Sequence, residues 1–237
     1  MLIRAPWGQL SRILAETQAV EALRLSLICA TCATVISLIL GVPLAWVLAR
    51  SRARGTRYLR ALVTLPLVLP PVVGGVALLL AYGRVGIVGS HLDRWFGLTL
   101  PFTTVAVVIA ETFVAMPFLI VSVEGALRSG DRGLEEAAAT LGSRAFATFR
   151  RVTLPQVLPS IAAGSVLCWA RALGEFGATI TFAGNLPGVT QTMPGAVYRA
   201  FETDPPAAVA LSLVLLTVSV TVLVLLRDRW LRPGADV

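Results

Sequence analysis

Charged residues along this chain fall in clusters, and between the clusters lie long stretches without an ionisable acid or base. Leu25 to Ala49 contains none, and neither do Ala61 to Gly83 or Pro205 to Leu226. The hydrocarbon core of a bilayer is roughly 30 Å thick and ~20 apolar residues of helix cross it, so each run is long enough to span. Lipid offers the backbone no water, so its donors and acceptors must pair within the segment, which makes these runs helices. Two further apolar stretches carry a few polar residues. The pattern predicts five spans, at 23–49, 61–82, 102–123, 158–183 and 207–226. The expected fold class is all-α, a polytopic transmembrane helical bundle over residues 23–226. Residues 1–22 precede it, 227–237 form a tail, and the connection 125–157 projects from it.

The first 22 residues do not read as a cleaved signal, because Arg4, Arg12, Glu16 and Glu21 break any apolar stretch. Leu10, Ile13, Leu14, Thr17 and Val20 fall near helical spacing, which fits a short helix on the membrane surface; a plain tail fits as well. The chain is 56% hydrophobic and 14% charged, against about 25% charged for a soluble domain. Cys29, Cys32 and Cys168 all sit in apolar runs without neighbouring Cys or His, as small packing residues do; no metal site or cofactor is expected.

All 20 basic residues are arginine. Without lysine, a phosphate-binding loop of the G-x-x-x-x-G-K-[ST] type is excluded, as is a Schiff-base lysine. If ATP drives this protein, another chain binds it. Thirteen arginines fall on one side of the predicted spans: Arg50, Arg52, Arg54, Arg57 and Arg60, then Arg128, Arg132, Arg144, Arg150 and Arg151, then Arg227, Arg229 and Arg232. Arg4, Arg12, Arg24, Arg84, Arg94 and Arg199 fall on the other. The positive-inside tendency makes the richer side cytoplasmic, with the N-terminus outside and the C-terminus inside. The net charge of +7 then reflects topology; the basic residues border spans and do not cover one soluble face, which argues against a nucleic-acid surface.

Several spans are more than anchors. The second carries Pro66, Pro70, Pro71, Gly74 and Gly75, and the fourth carries Gly164, Arg171, Gly174, Glu175 and Gly177. Prolines free backbone groups that a neighbouring helix or cavity must satisfy, and small residues allow close helix approach. Glu111 lies within the third span, facing either a pathway or another helix. Glu124 sits at its end, within reach of the basic connections. His91 is the sole histidine and falls in an external connection, and Trp95, Trp169 and Trp230 suit interfacial or packing positions.

The connection between the third and fourth spans is unusually structured. Asp131 can cap a helix start, with Glu135 and Glu136 near the positive end of its dipole. Leu134, Ala137, Ala138 and Leu141 make an apolar stripe, Gly142 can end the helix in a left-handed conformation, and Ser143 can cap a second helix running to about Arg151. Glu136-Ala137-Ala138, then Gly142 after three intervening residues, then Val152-Thr153-Leu154-Pro155 after nine more, resemble the EAA loop of binding-protein-dependent ABC importers. The one departure is Val152 where isoleucine is common. The resemblance implies that Glu135, Glu136, Ala137, Ala138, Gly142, Leu154 and Pro155 form a coupling segment seated on an ATP-binding subunit. An amphipathic connector lying on the membrane is the plainer alternative.

Around the fourth span the chain reads Gly174-Glu175-Phe176-Gly177-Ala178-Thr179-Ile180-Thr181-Phe182. Arg171 and Glu175 are one turn apart and partly neutralise each other. They either fix helix packing or line an anion path, with Arg171 supplying positive potential and Glu175 keeping binding weak; Gly174, Thr179 and Thr181 would then share that path. With Pro66 to Val73 and the segment Asn185 to Pro194, this stretch resembles the molybdate and sulfate branch of ABC permeases, its wording closest to the molybdate side. The likeness covers roughly residues 20–230. It implies a homodimer in the bacterial inner membrane, two ATP-binding subunits docked on the two EAA loops, alternating access, and an external oxyanion-binding protein delivering molybdate, with sulfate or tungstate as alternatives. A self-powered secondary transporter would show internal repeats, and none is visible. A membrane enzyme would need a clustered catalytic set, and one histidine with scattered carboxylates offers none.

Overall fold

The computed structural model describes residues 7–9, 17–51 and 53–230. Among them every regular element is helical: a turn of 3₁₀ helix at Trp7–Gln9, then α1 (Thr17–Arg50), α2 (Thr56–Val68), α3 (Pro71–Tyr82), α4 (Gly89–Phe96), α5 (Thr104–Ser129), α6 (Arg132–Thr140), α7 (Ala145–Thr148), a π turn at Phe149–Thr153, α8 (Leu154–Leu173), α9 (Gly177–Phe182), α10 (Met193–Thr203) and α11 (Pro205–Trp230). The helices α1, α5, α11 and the run Phe146–Leu173 are long and apolar enough to cross a membrane, and α3 is a shorter apolar helix. The expected surface helix falls partly on residues 10–16, outside the described residues, but Thr17 and Val20 from that pattern already belong to α1. Arg4, Arg12, Arg52 and Arg232 also lie outside them.

The centre of the bundle is α1 against α5, with α8 packed on both. Along α1 the buried face is built from small residues at helical spacing: Ala22, Ser26, Ala30, Ala33, Ser37 and Ala45. The opposite face exposes Ile28, Val35, Ile39, Leu40 and Trp46. This is how a membrane helix divides its surface, because bulky apolar side chains gain nothing by leaving lipid and small ones let backbones approach. Gly164 of α8 shows the closeness: a Cβ there would stand 3.0 Å from side-chain atoms of Leu119 and Ser122 on α5. Ser122 Oγ also donates to Ser160 O of α8 at 3.1 Å.

Two predicted spans are interrupted. The second divides at Leu69, which takes an extended conformation (ψ 133°) before Pro70, and α3 restarts with Pro71 in its first turn. Proline disfavours the helical region for the residue before it, so two in succession force the break. The fourth starts earlier and ends earlier than expected. No separate second helix stands between Ser143 and Arg151; α7 passes through the π turn directly into α8. The π turn widens the ladder where Pro155, in the first turn of α8, contributes no N–H, and Leu154 N–H reaches back to Phe149 O. The Ser143 hydroxyl accepts from Thr148 Oγ1 at 3.0 Å, across the first turn of α7. At the far end α8 stops at Leu173, and the chain resumes as α9 after Gly174-Glu175-Phe176.

Candidate functional site

At the arginine-rich end, α6 projects from the bundle. Asp131 Oδ1 accepts Gly133 N–H at 2.8 Å and caps its start. Its end is a full Schellman closure: Gly142 N–H bonds Ala139 O, Ser143 N–H bonds Ala138 O, both at 3.0 Å, and Gly142 carries φ +79°. Glu136, Ala137, Gly142 and Pro155 are exposed, while Ala138 and Leu154 are half-buried. Leu134, Leu141 and Phe146 are exposed on the same segment, Leu141 at 87%. Three large apolar side chains held out along a capped helix and the turn that follows it make a surface suited to a protein partner.

Glu135 behaves differently from its neighbour. Its carboxylate turns toward the bundle, ion-pairs with Arg50 at the end of α1, and accepts the Thr153 hydroxyl at 2.9 Å. Nearby, Glu124 of α5 takes Arg60 of α2 at 2.8 Å and Arg128 at 2.9 Å. Both guanidinium groups also donate to Leu48 O, at 3.1 and 3.4 Å, which satisfies a carbonyl in the last turn of α1. Sequence reasoning placed Glu124 against the basic connections but missed the links of Glu135, because 85 and 18 residues separate it from its partners.

The second constellation is the break between α8 and α9. Arg171 Nη2 lies 2.6 Å from Glu175 Oε2, with Glu175 1% and Arg171 27% exposed. Glu175 Oε1 accepts Ala178 N–H at 2.8 Å, so the carboxylate caps α9 while Arg171 occupies the last turn of α8. Each charge faces the helix end whose dipole favours it. Thr179 and Thr181 use their hydroxyls on their own helix, donating to Phe176 O and Gly177 O, both at 2.8 Å. Of the five residues singled out for a path, only Gly174 borders the large apolar groove, about 720 Å³, that Phe176, Tyr198, Phe201, Leu215 and Leu216 also line. Phe176 and Tyr198, both in its lining, meet at a tilt of 35° with ring centres 5.1 Å apart.

Close packing holds the break in place. A Cβ on Gly75 of α3 would stand 1.7 Å from Thr181 Oγ1 and 2.7 Å from Ala178 O, and one on Gly177 would stand 2.9 Å from Pro71 Cβ. The following segment is pinned to α1 by Met193 N–H donating to Ser26 Oγ at 2.7 Å. Glu111 of α5 is 1% exposed, with Oε2 unpartnered among the described residues, and it lies within electrostatic reach of Glu175. His91 is exposed and sits beside Trp95, with ring centres 5.4 Å apart.

Membrane-length helices, two broken spans around a buried ion pair and a stiff exposed projection define a transporter subunit worked through a partner. Residues 41–234 match the binding-protein-dependent transport system inner membrane component family, and the chain belongs to it: it is the permease subunit of an ABC importer. It is 51% identical over 220 residues to the molybdenum transport system permease protein ModB of Mycobacterium tuberculosis, covering 93% of this chain and 83% of that one. It is 41% identical over 211 residues to the Escherichia coli K12 protein of the same name, covering 89% and 92%. The sulfate transport system permease protein CysT of Salmonella typhimurium is 34% identical over 223 residues, covering 94% and 80%. Among solved structures the fold matches a bacterial ABC transporter for the acidic polysaccharide alginate (TM-score 0.76, 15% identity, 94% of this chain and 82% of that one). It also matches the MetNI methionine ABC transporter in inward-facing form (TM-score 0.70, 17% identity, 88% and 93%).

Proposed function

We propose that this permease carries molybdate inward across the bacterial inner membrane by alternating access. The observation that carries the cargo is the gap between 51% identity to a molybdenum permease and 34% to a sulfate permease over comparable lengths. ATP is hydrolysed on separate subunits, in keeping with a chain that has no lysine to hold a nucleotide's phosphates. The chain works as a homodimer, since two copies about a two-fold axis can enclose a hydrated path that one bundle leaves open. The N-terminus is periplasmic and the arginine-rich end cytoplasmic, following the positive-inside tendency. A periplasmic oxyanion-binding protein delivers the cargo and does most of the discrimination among tetrahedral dianions.

In this reading Glu136, Ala137, Ala138, Gly142, Leu154 and Pro155 couple the chain to its ATPase. The exposed Leu134, Leu141 and Phe146 seat the segment, and ATP-driven closure of the ATPase pair draws the two projections together. Arg171 supplies positive potential beside the path, and Glu175 offsets it so that the anion is not held too long. Gly174 borders the path, while Thr179 and Thr181 support the α9 backbone beside it. The test is uptake of labelled molybdate by proteoliposomes containing this chain, its ATPase subunit and its binding protein. Uptake should need both partners and ATP, and a hundredfold excess of sulfate should leave it unchanged. Uptake without the ATPase, or sulfate accumulated at the same rate, would refute the reading.

A further inference from the structure

We propose that Arg50 and Thr153 are positioning residues that lock the coupling helix α6 to the first and fourth spans through the Glu135 carboxylate. The inference rests on the coupling reading above and adds the route by which displacement leaves α6. A helix that transmits force must be attached by more than its two chain ends. Yet among the described side chains of α6 none is buried, so apolar packing does not attach it. Both flanks are glycines, Gly130 and Gly142, the second in the left-handed region. Glu135 supplies the missing attachment. One oxygen, Oε1, receives a guanidinium from the end of α1 and a hydroxyl from the last residue of the π turn that feeds α8.

The environment makes this junction stiffer than a surface ion pair. The Arg50 and Glu135 side chains are 18% and 25% exposed, and Thr153 is 5% exposed, so water screens the contact only in part. The guanidinium bond is charge-assisted and the stronger of the two, and the Thr153 hydroxyl adds a second donor that fixes the direction of the same carboxylate oxygen. Trp46 meets Phe149 edge-on, ring centres 6.4 Å apart, and ties α1 to the same π turn a second time. Arg50 Nε is buried without a partner among the described residues, so the guanidinium has a donor in reserve for a second bond if α6 presses inward. A push on α6 therefore reaches α1 and α8 together, leaving the glycine flanks to absorb the remainder.

The experiment uses the full complex in proteoliposomes and reads molybdate imported per ATP hydrolysed. Arg50→Glu and Glu135→Arg should each lower that ratio at least tenfold, with ATPase subunits co-purifying in the wild-type proportion. The double reversal Arg50→Glu/Glu135→Arg should return it to within threefold of wild type. Thr153→Val should lower the ratio and Thr153→Ser should keep it; if the charge reversals do not assemble, this pair alone decides. Single variants at the wild-type ratio, or a double reversal no better than the singles, would overturn the proposal. A Leu141→Cys cross-link to the ATPase separates the two claims. Without it the coupling reading fails and this proposal fails with it. With it and an unresponsive ratio, only the route through Glu135 falls.

Discussion

Replacing Gly142 isolates the conformational demand at the end of α6, the helix proposed to couple to the ATPase. Its φ of +79° is in the left-handed region, and a Cβ built there meets no atom within 4 Å. Gly142→Ala therefore introduces no clash, and its whole cost is backbone strain, about 1–2 kcal/mol. That strain weakens the bonds closing α6, from the N–H groups of Leu141, Gly142 and Ser143 to Ala137, Ala139 and Ala138. A local cost of this size raises the open fraction of the turn by a factor of about 5–30. Hydrogen exchange of these three amides in the purified complex should accelerate by that factor, while amides in α1 and α5 keep their protection. Gly142→Asn should fall between glycine and alanine, because asparagine tolerates the left-handed region. Gly142→Asp has nearly the same shape as asparagine and adds a charge. It should leave the bundle folded and abolish the ATPase stimulation given by loaded binding protein, a loss Gly142→Asn should not reproduce. Unchanged exchange in the alanine variant would show that the turn does not depend on the left-handed residue. Normal stimulation in the aspartate variant would remove Gly142 from the coupling surface.

Two further outcomes follow from the broken spans. Gly75→Ala should lower the thermal midpoint in detergent by an amount equivalent to about 1–3 kcal/mol of overpacking, because its Cβ meets both Thr181 Oγ1 and Ala178 O. Adding Thr181→Ala removes only the first clash, so recovery should be partial; a wild-type midpoint for the single variant would contradict the close approach of α3 and α9. Arg171→Ala leaves the 1% exposed Glu175 without its counter-charge and should cost about 3–5 kcal/mol. Glu175→Gln should cost less, since its amide oxygen still caps Ala178 N–H and Arg171 keeps partial access to water. The reverse order in denaturation midpoints would show that the pair is not held as described.

The helical class was readable because lipid leaves the backbone few alternatives and charge-free runs are conspicuous. The breaks were readable as residue types but not as positions. Pro70-Pro71 and Gly174 announce interruption, yet only packing of Gly75 against Ala178 and Thr181 explains why the chain leaves α8 at that point. Thr179 and Thr181 illustrate a limit of composition: a hydroxyl in an apolar span suggests a path, but its nearest acceptor is a carbonyl of its own helix. Asp131 and Gly142 were legible as a start and a stop because capping is local, whereas the partners of Glu135 lie on elements that only the fold brings together. The arginines carry the same lesson further. Counted along the chain they give one quantity, an excess of positive charge at one end, and that is all topology requires. In space they divide. Arg50 is drawn onto Glu135, and Arg60 and Arg128 onto Glu124 and the Leu48 carbonyl of α1. Arg54, Arg57, Arg144, Arg150 and Arg151 remain exposed. Two carboxylates holding three cations leave one positive charge over, so the ion pairs that tie down this end of the bundle do not cancel its basic excess. One sequence feature thereby supplies both the charge asymmetry between the two ends of the bundle and the cation that holds α6 against α1.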